Sequence, residues 1–372
     1  VYCNSNQLTT LDVSANTALT YLAVYYNQLT YLNMKNGVTD ALTAFDASGN
    51  SLTCVEVNAD DIDYATANWT YANGNIDEGV SFADICYASN PSYTNVPDDN
   101  FEQALIDLGY DDTLDDYVLT ASISGVTSLD VREKEISDLM GIEGFTALTT
   151  LDCQGNQLTS LDVSANTALT SLDCYSNQLT SLDVSANTAL TILHCNYNQL
   201  TSLDVSANTA LTILHCNYNQ LTSLDVSNNT LLTQLECNSN QLTSLDLSAN
   251  TALAYLECRN NQLTSLDVSA NTALTFLTCQ DNQLTSLGVS ANTSLTSLVC
   301  HANQLTSLDV SNNTLLEELN CADNQLTSLD VSNNTALGLL WCQSNQLTYL
   351  NMKNGLTDQI TQFDARDNSL TC

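Results

Sequence analysis

One column of side chains in this sequence could carry chemistry, because it places carboxylate and imidazole groups at a constant interval. Its members are Asp173, His194, His215, Glu236 and Glu257, each 21 positions after the one before. These groups are suitable ligands for a divalent ion. A metal site needs ligands that converge, however, and a flat strand surface rarely surrounds an ion. We therefore interpret the column as solvated side chains and predict no metal ion or other cofactor in it.

No other pattern favours catalysis. The chain contains three histidines, and none belongs to a Ser/His/Asp arrangement outside the 21-residue spacing. The sequence also lacks a glycine-rich phosphate loop and a recognisable metal motif. We predict that the protein is not an enzyme.

The charge balance excludes further functions. The 372 residues include 42 acidic and 6 basic side chains, for a formal net charge of −36. Such a chain repels nucleic-acid phosphates and anionic lipid headgroups. It has no apolar run of 18 residues, so membrane insertion is not expected. Because it opens at Val1 without a signal-like segment, we expect a mature or trimmed piece of a longer protein.

The constant spacing belongs to an internal repeat, which ten cysteines mark. They are Cys153, Cys174, Cys195, Cys216, Cys237, Cys258, Cys279, Cys300, Cys321 and Cys342. Each unit has two similar halves, L-x-C-x-x-N-Q-L-T-S as in 172–181 and L-D-V-S-x-N-T-x-L-T-x as in 182–192. Both halves contain the pattern L-x-x-L-x-(C/V)-x-x-N.

This nested pattern resembles the leucine-rich repeat family, in particular its short 21-residue variety, sometimes called IRREKO. The resemblance covers roughly residues 1–32 and 149–347. It implies a bacterial protein of the type found in Bacteroidota, secreted or displayed on the cell surface.

Strand geometry leads to the same architecture. In L-x-C the side chains alternate, so leucine and cysteine point inward and the middle residue points outward. One coil cannot bury its leucines alone, whereas coils stacked about 4.8 Å apart form a continuous core. We predict a repeat solenoid: a flattened β-solenoid of short parallel strands on both sides, with asparagines bonding the turns and a small helical cap before the second array.

The cysteines fall into two groups. In the first array, the position equivalent to the ten repeating cysteines is occupied by Val24. We therefore expect these ladder cysteines to act as small buried hydrophobic residues rather than as metal ligands or disulfide partners. Cys54 and Cys86 instead flank a non-repeating segment, and we predict a disulfide between them, which fits an oxidising extracellular location. Cys372 matches Cys54 in sequence and is expected to have its partner beyond the end of this chain.

Matching segments divide the chain. Leu32-Asn-Met-Lys-Asn-Gly and Asn50-Ser-Leu-Thr-Cys54 recur from Leu350 and up to Cys372. A capped helix is expected at 101–108, after Pro97, Asp98 and Asp99, with Glu102 three positions beyond Asp99. The predicted segments are the end of an upstream array (1–31), its C-terminal cap (32–86), a linker (87–96), an N-terminal cap with a helix and a degenerate repeat (97–148), the regular array (149–347) and the start of a C-terminal cap (348–372).

Binding is expected where the repeats vary. The second half-repeat is nearly constant, whereas the outward residues beside the cysteines differ from coil to coil and include exposed aromatic and aliphatic side chains, which often mark contact sites. The predicted ligand-binding residues are Tyr175, Ile192, His194, Ile213, His215, Glu236, Tyr255, Glu257, Phe276 and Trp341. Neutral variation on a solvated sheet remains an alternative, since scattered surface apolar residues are normal.

Two functions follow from this surface. The first is an extracellular binding or adhesion module that contacts a protein or a glycan. The second is a structural spacer or filament element that packs against further copies of itself.

The constant half-repeat adds a column of carboxylates, broken by Gly288: Asp162, Asp183, Asp204, Asp225, Asp246, Asp267, Asp309 and Asp330. Neighbouring charges about 5 Å apart repel by nearly 1 kcal/mol in water. We expect serine hydroxyls, as at Ser160 and Ser164, and salt to stabilise the column, and Ca²⁺ binding there remains open.

Overall fold

The computed structural model describes residues 1–355 and 360–371. It divides into two compact units, one formed by Val1–Val96 with Tyr110–Ile123 and the other by Pro97–Gly109 with Ser124–Cys372. Three-residue strands, most of them parallel, are the main elements of both units.

The described elements, in chain order, are short. The strands are β1 (Thr10–Asp12), β2 (Tyr21–Ala23), β3 (Tyr31–Asn33), β4 (Ala44–Asp46), β5 (Cys54–Glu56), β6 (Ser81–Ala83), β7 (Tyr93–Asn95), β8 (Tyr117–Leu119), β9 (Ser128–Asp130), β10 (Thr150–Asp152), β11 (Ser171–Asp173), β12 (Ile192–His194), β13 (Ile213–His215), β14 (Gln234–Glu236), β15 (Tyr255–Glu257), β16 (Phe276–Thr278), β17 (Ser297–Val299), β18 (Glu318–Asn320), β19 (Ser328–Asp330), β20 (Leu339–Trp341), β21 (Tyr349–Asn351) and β22 (Gln362–Asp364). The helices are α1 (Ile62–Asn68), α2 (Asp99–Asp107) and α3 (Thr120–Ile123). Single 3₁₀ turns lie at Thr39–Ala41, Ala59–Asp61, Tyr87–Ser89 and Ile142–Gly144.

The second unit is a solenoid with one continuous ladder. Twelve parallel strands pair in the order β22-β20-β18-β17-β16-β15-β14-β13-β12-β11-β10-β9. From β10 to β20 the register advances by 21 residues per coil, so that Leu151 pairs with Leu172 and Leu172 with Leu193. The predicted solenoid of short parallel strands is confirmed.

The opposite side of these coils pairs less than we expected. Among the described residues of the second unit, it forms the two-stranded ladder β19–β21 and isolated bridges such as Asp162 with Asp183. The reason is that this longer half-repeat satisfies backbone groups within its own coil. The Asn187 N–H donates to the Val184 carbonyl (3.0 Å), and the Leu190 N–H donates to the Asn187 carbonyl (3.0 Å).

The first unit has the same design with a different end. Strands β1, β3, β5 and β6 form one parallel sheet and β2 pairs with β4. The disulfide between Cys54 and Cys86, predicted from their position outside the ladder, is present and joins β5 to the end of the segment that follows it. Residues 87–96, expected to be a linker, contain β7, which pairs antiparallel with β8.

Helix α2 forms where the sequence predicted it, but its cap lies one residue earlier than the Asp99–Glu102 spacing suggested. One oxygen of Asp98 accepts the N–H groups of Asn100 and Phe101, both at 3.0 Å. The other oxygen accepts the Ser137 N–H at 2.8 Å, which joins the helix to the degenerate repeat. The same carboxylate thus satisfies the first turn of the helix and the chain beside it.

All ten ladder cysteines are fully buried, as expected for a packing position. Each follows a strand, and its backbone N–H donates to the next coil, as Cys174 does to the His194 carbonyl at 2.8 Å. Burial raises the pKa of Cys195 to about 12, and the pKa of Cys174 lies well above its usual value for the same reason. These sulfur atoms are therefore protonated and out of contact with water.

The ladder thiols should not react with a thiol reagent near pH 8 while the protein is folded, because labelling requires an exposed thiolate. Cys3, which is partly exposed, is the internal control and should be labelled. Peptide mapping after labelling, with and without denaturant, measures this. Rapid modification of Cys195 or Cys237 in the folded protein would place the ladder outside and reverse the assignment of both faces.

Two columns of buried asparagines join neighbouring coils. In the first column, the Asn177 amide donates to the Cys153 carbonyl of the preceding coil at 3.1 Å, and its oxygen accepts the Leu158 N–H at 3.0 Å. In the second, the Asn229 amide donates to the carbonyls of Val205 (3.0 Å) and Asn208 (2.9 Å). These bonds satisfy turn backbone that the strands leave unpaired.

Replacing Asn229 by alanine should lower the free energy of unfolding by about 1–3 kcal/mol, because the carbonyls of Val205 and Asn208 each lose a buried amide donor and keep only one backbone donor. The neighbouring Asn228 is a matched control. It is exposed, and other coils carry alanine there, as at Ala207. Asn228→Ala should therefore change stability by less than about 0.5 kcal/mol. Urea unfolding of both variants measures these changes. Equal losses of stability in the two variants would show that the buried Asn229 amide contributes no more than an exposed one.

Candidate functional site

The candidate site lies on the outward residues of the continuous ladder, the surface that we call the variable face. It consists of the first and third residues of β10–β18 and β20, together with the turn residues that follow the cysteines. The leucine in the middle of each strand points inward and is fully buried, whereas its two neighbours are mostly half-buried. Strand alternation thus sends the variable positions outward, as the sequence predicted.

All ten predicted contact residues lie on this face and are half-buried. Ile192 and Ile213 are paired neighbours on β12 and β13, and Glu236 and Glu257 are paired neighbours on β14 and β15. Trp341 is separate from them. It lies on β20, between Asn320 and Asp364, and β17 and β18 separate it from the aromatic residue of β16.

Aromatic rings stack along the face because equivalent positions repeat at strand spacing. The Tyr255 and Phe276 rings are parallel, with centroids 4.4 Å apart. The His194 and His215 rings are parallel at 4.3 Å. Stacking holds these large side chains in place before any partner binds. Little side-chain conformational entropy is therefore lost on binding.

The structure adds two residues that sequence reasoning missed. Tyr197 and Tyr218 are 44% and 39% exposed and stack at 4.1 Å, and Tyr175 meets Tyr197 edge to face at 5.3 Å. Together these three rings form an aromatic edge beside the histidine pair.

The signal for the two missed tyrosines is the tripeptide Asn-Tyr-Asn at 196–198 and 217–219. Both tyrosines have a φ of 52°, in the left-handed region. Serine takes the same turn at Ser176 and Ser239. A bulky ring is uncommon in that conformation, so two consecutive tyrosines at this turn are not explained by the backbone.

The acidic and imidazole side chains of the column form pairs across neighbouring strands. Asp173 lies 3.1 Å from His194 Nδ1, and His215 Nε2 lies 3.3 Å from Glu236. Within the part of the chain that the structure describes, no three groups of this column bring their ligand atoms within 4.8 Å of one another.

Histidine 215 is held neutral by its surroundings. Burial, with a smaller contribution from His194, lowers its pKa from 6.5 to about 4, and the opposing attraction of Asp173 is smaller still. The Gln234 amide nitrogen lies 2.9 Å from His215 Nε2 and 3.0 Å from the Glu236 carboxylate, and so it can donate to both. An acceptor nitrogen on His215 is the neutral form of the ring.

Because the pKa of His215 is lower in the folded state, protonation favours unfolding. Stability should fall as the pH decreases from 6.5 towards about 4, where the unfolded chain binds a proton that the folded ring does not. His215→Gln should flatten this slope in urea unfolding measured across that window. Burial raises the pKa of Glu236, so this carboxyl makes the folded state more stable as the pH falls. Glu236 is present in both the original protein and the His215→Gln variant, so it does not account for a difference between their slopes. Identical slopes would contradict the assignment.

On the opposite side, the aspartate column is stabilised locally. Asp183 accepts the Ser185 N–H at 2.9 Å, and the hydroxyl and N–H of that serine lower the pKa of Asp183. The same turn recurs at Asp162 with Ser164. Serine bonding therefore opposes the repulsion between neighbouring carboxylates, as we expected for the Ser164 type.

Comparison with known proteins agrees with this architecture. The family model "Leucine Rich repeats (2 copies)" matches residues 146–187. An internalin (inlF) of Listeria monocytogenes is 25% identical, with a TM-score of 0.62 over 74% of this chain and 91% of the internalin. A leucine-rich repeat protein of Leptospira interrogans is 20% identical, with a TM-score of 0.61 over 96% of this chain and 93% of that protein. The protein is a leucine-rich repeat solenoid.

Bacterial internalins are among the proteins to which this chain is similar. Internalin J of Listeria monocytogenes is 42% identical over 70 residues, which is 19% of this chain and 8% of internalin J. The chain thus spans less than a tenth of that curated relative. It is a leucine-rich repeat protein with internalin-like bacterial homologues. In the described residues, no helix has the length and apolar character to cross a membrane.

Proposed function

We propose that the protein is a non-enzymatic binding or adhesion module that contacts a protein or a glycan through the variable face. The main support for this proposal is the difference between the two sides of each coil. One side repeats Ser-Leu-Asp-Val-Ser almost unchanged, whereas the other presents rigid aromatic stacks that no inward packing requires. A side that varies only where the fold leaves it free is suited to recognising a partner.

The centre of the proposed site runs from β11 to β16. It includes the stacked pairs Tyr255/Phe276 and His194/His215 and, at its edge, Tyr197 and Tyr218. Aromatic side chains of this kind dominate the energetics of protein interfaces, because they bury a large area at low entropic cost. The carboxylates Glu236 and Glu257 add hydrogen-bond acceptors between the two pairs.

The proposed location is the outside of a bacterial cell, either secreted or surface-bound, with an origin of the Bacteroidota type. The disulfide between Cys54 and Cys86 supports this location, since disulfides persist mainly in oxidising compartments. The internalin-like homologues support a bacterial source.

The alternative function is a structural spacer or filament element of a larger surface protein. The regular Ser-Asp-Ser side favours it, because an unvarying surface can pack against another copy at any register. The outward carboxylates of Asp183 and its equivalents oppose close packing of two such sides without a cation between them.

Tyr255→Ser combined with Phe276→Ser should weaken binding at least tenfold without lowering the melting temperature by more than a few degrees, because the rings are half-buried outside the leucine core. The assay is binding to a glycan array and to a panel of purified extracellular proteins. Trp341→Ser tests whether the site extends to β20.

Ser265→Ala on the constant side is the matched control and should leave binding unchanged. Binding that survives the loss of both rings, together with altered self-association in sedimentation, would support the spacer function instead.

A further inference from the structure

A second group of aromatic side chains lies in the first unit, around the segment that the sequence predicted to be a linker. Tyr87 lies on a 3₁₀ turn, and its ring stacks on that of Tyr117 of β8, with centroids 4.8 Å apart and planes at 16°. The ring of Tyr93, on β7, meets the Tyr87 ring edge to face at 5.0 Å and 84°. We call Tyr87, Tyr93 and Tyr117 the tyrosine cluster.

Strand pairing explains why these rings meet. Thr94 pairs with Val118 across the antiparallel ladder of β7 and β8, and both side chains are buried. Their neighbours Tyr93 and Tyr117 therefore point to the other side of the two strands, where both are half-buried. The turn before β7 brings Tyr87 to the same side.

The chain that carries the cluster is fixed where it begins. A disulfide joins Cys86 to Cys54. The buried Glu56 carboxylate accepts the Cys86 N–H at 3.0 Å and the Asn90 side-chain amide at 2.8 Å. The rings are thus held in place before any ligand binds, which lowers the entropic cost of binding.

The tyrosine cluster lines an open cavity of about 240 Å³, together with Asn90 and Asn95. Sites for drug-sized ligands have volumes of roughly 300–1,000 Å³. The cavity is therefore suited to a small chemical group rather than to an oligosaccharide or a folded loop.

The surroundings of this cavity are electrostatically negative. The sequence has no lysine, arginine or histidine at positions 36–131. The Tyr87 hydroxyl donates to the Asp115 carboxylate, and burial together with this carboxylate raises the pKa of Tyr87. The faces of the aromatic rings add further negative potential. The cavity consequently favours a cation and opposes an anion.

We propose that the tyrosine cluster binds a quaternary ammonium group, which lies in the corner between the Tyr93 ring and the stacked pair, with Asp115 supplying the opposite charge. Aromatic rings attract such cations within about 6 Å of the ring centre. A primary ammonium is strongly hydrated and has three N–H donors to satisfy, whereas a quaternary ammonium has none, so ring faces replace its water at little cost. This site is separate from the variable face and does not depend on the function proposed for that face.

Saturation-transfer NMR of the full chain with choline tests the site. The matched neutral compound is 3,3-dimethylbutanol, in which carbon replaces the charged nitrogen. We expect saturable transfer to the choline methyl groups and about tenfold weaker binding of the neutral compound, because the attraction between a cation and a ring is lost. No binding of choline, or equal binding of the two compounds, would overturn the proposal. This comparison uses the unaltered protein and so does not depend on the folding of any variant.

Variants of the cluster locate the bound cation. Tyr117→Leu should weaken choline binding about tenfold, whereas Tyr117→Phe keeps the ring and should bind nearly as before. Asp115→Asn removes the charge but keeps the oxygen that accepts the Tyr117 N–H at 3.1 Å, and it should weaken binding about twofold to fivefold. Tyr71→Leu, at a tyrosine that is 62% exposed and lies outside the cluster, is the control and should bind as the original protein does.

Melting temperatures of the same variants separate a loss of binding from a loss of folding. Full choline binding by a folded Tyr117→Leu variant would place the cation elsewhere and overturn the proposal. Vesicles of phosphatidylcholine, added as a competitor, then distinguish two sources of the group. Loss of the choline signal would assign a lipid headgroup, an unchanged signal would assign a free small cation, and either result supports recognition of the quaternary ammonium.

Discussion

Hydrogen bonding from each coil to the next is the constraint on which the rest of this structure depends. A three-residue strand is too short to be stable alone, so its backbone groups must find partners 21 residues away. The strand register, the cysteine N–H groups and the two asparagine columns all make this step. Inward leucines and cysteines can form a dry core only because these bonds hold successive coils in register.

That constraint explains which residues are free to vary. Inward positions must fill a fixed volume, and turn asparagines must reach fixed carbonyls, so neither position tolerates much change. Outward strand residues contact other outward residues, both within a strand and in adjacent coils. Histidine beside histidine and tyrosine beside phenylalanine are stable there because ring stacking at strand spacing is favourable. The fold thus supplies a rigid support on which different side chains can be displayed.

The ends of the arrays follow a different rule. A solenoid must cover the leucines and the strand edge of its last coil, and the first array does so with a disulfide-linked segment that carries Trp69 and Glu56. Capping is therefore a chemical requirement of the repeat itself.

The sequence by itself determined the repeat, the inward ladder, the link between Cys54 and Cys86 and the side on which the repeats vary. It could do so because a period of 21 fixes which residues align when coils stack. Only the tertiary structure decided that one side forms a continuous ladder, that Asp98 caps α2, that the rings of His194 and His215 stack, and that the rings of Tyr197 and Tyr218 stack on each other. Those outcomes depend on distances and orientations between coils, and spacing along a chain does not specify them.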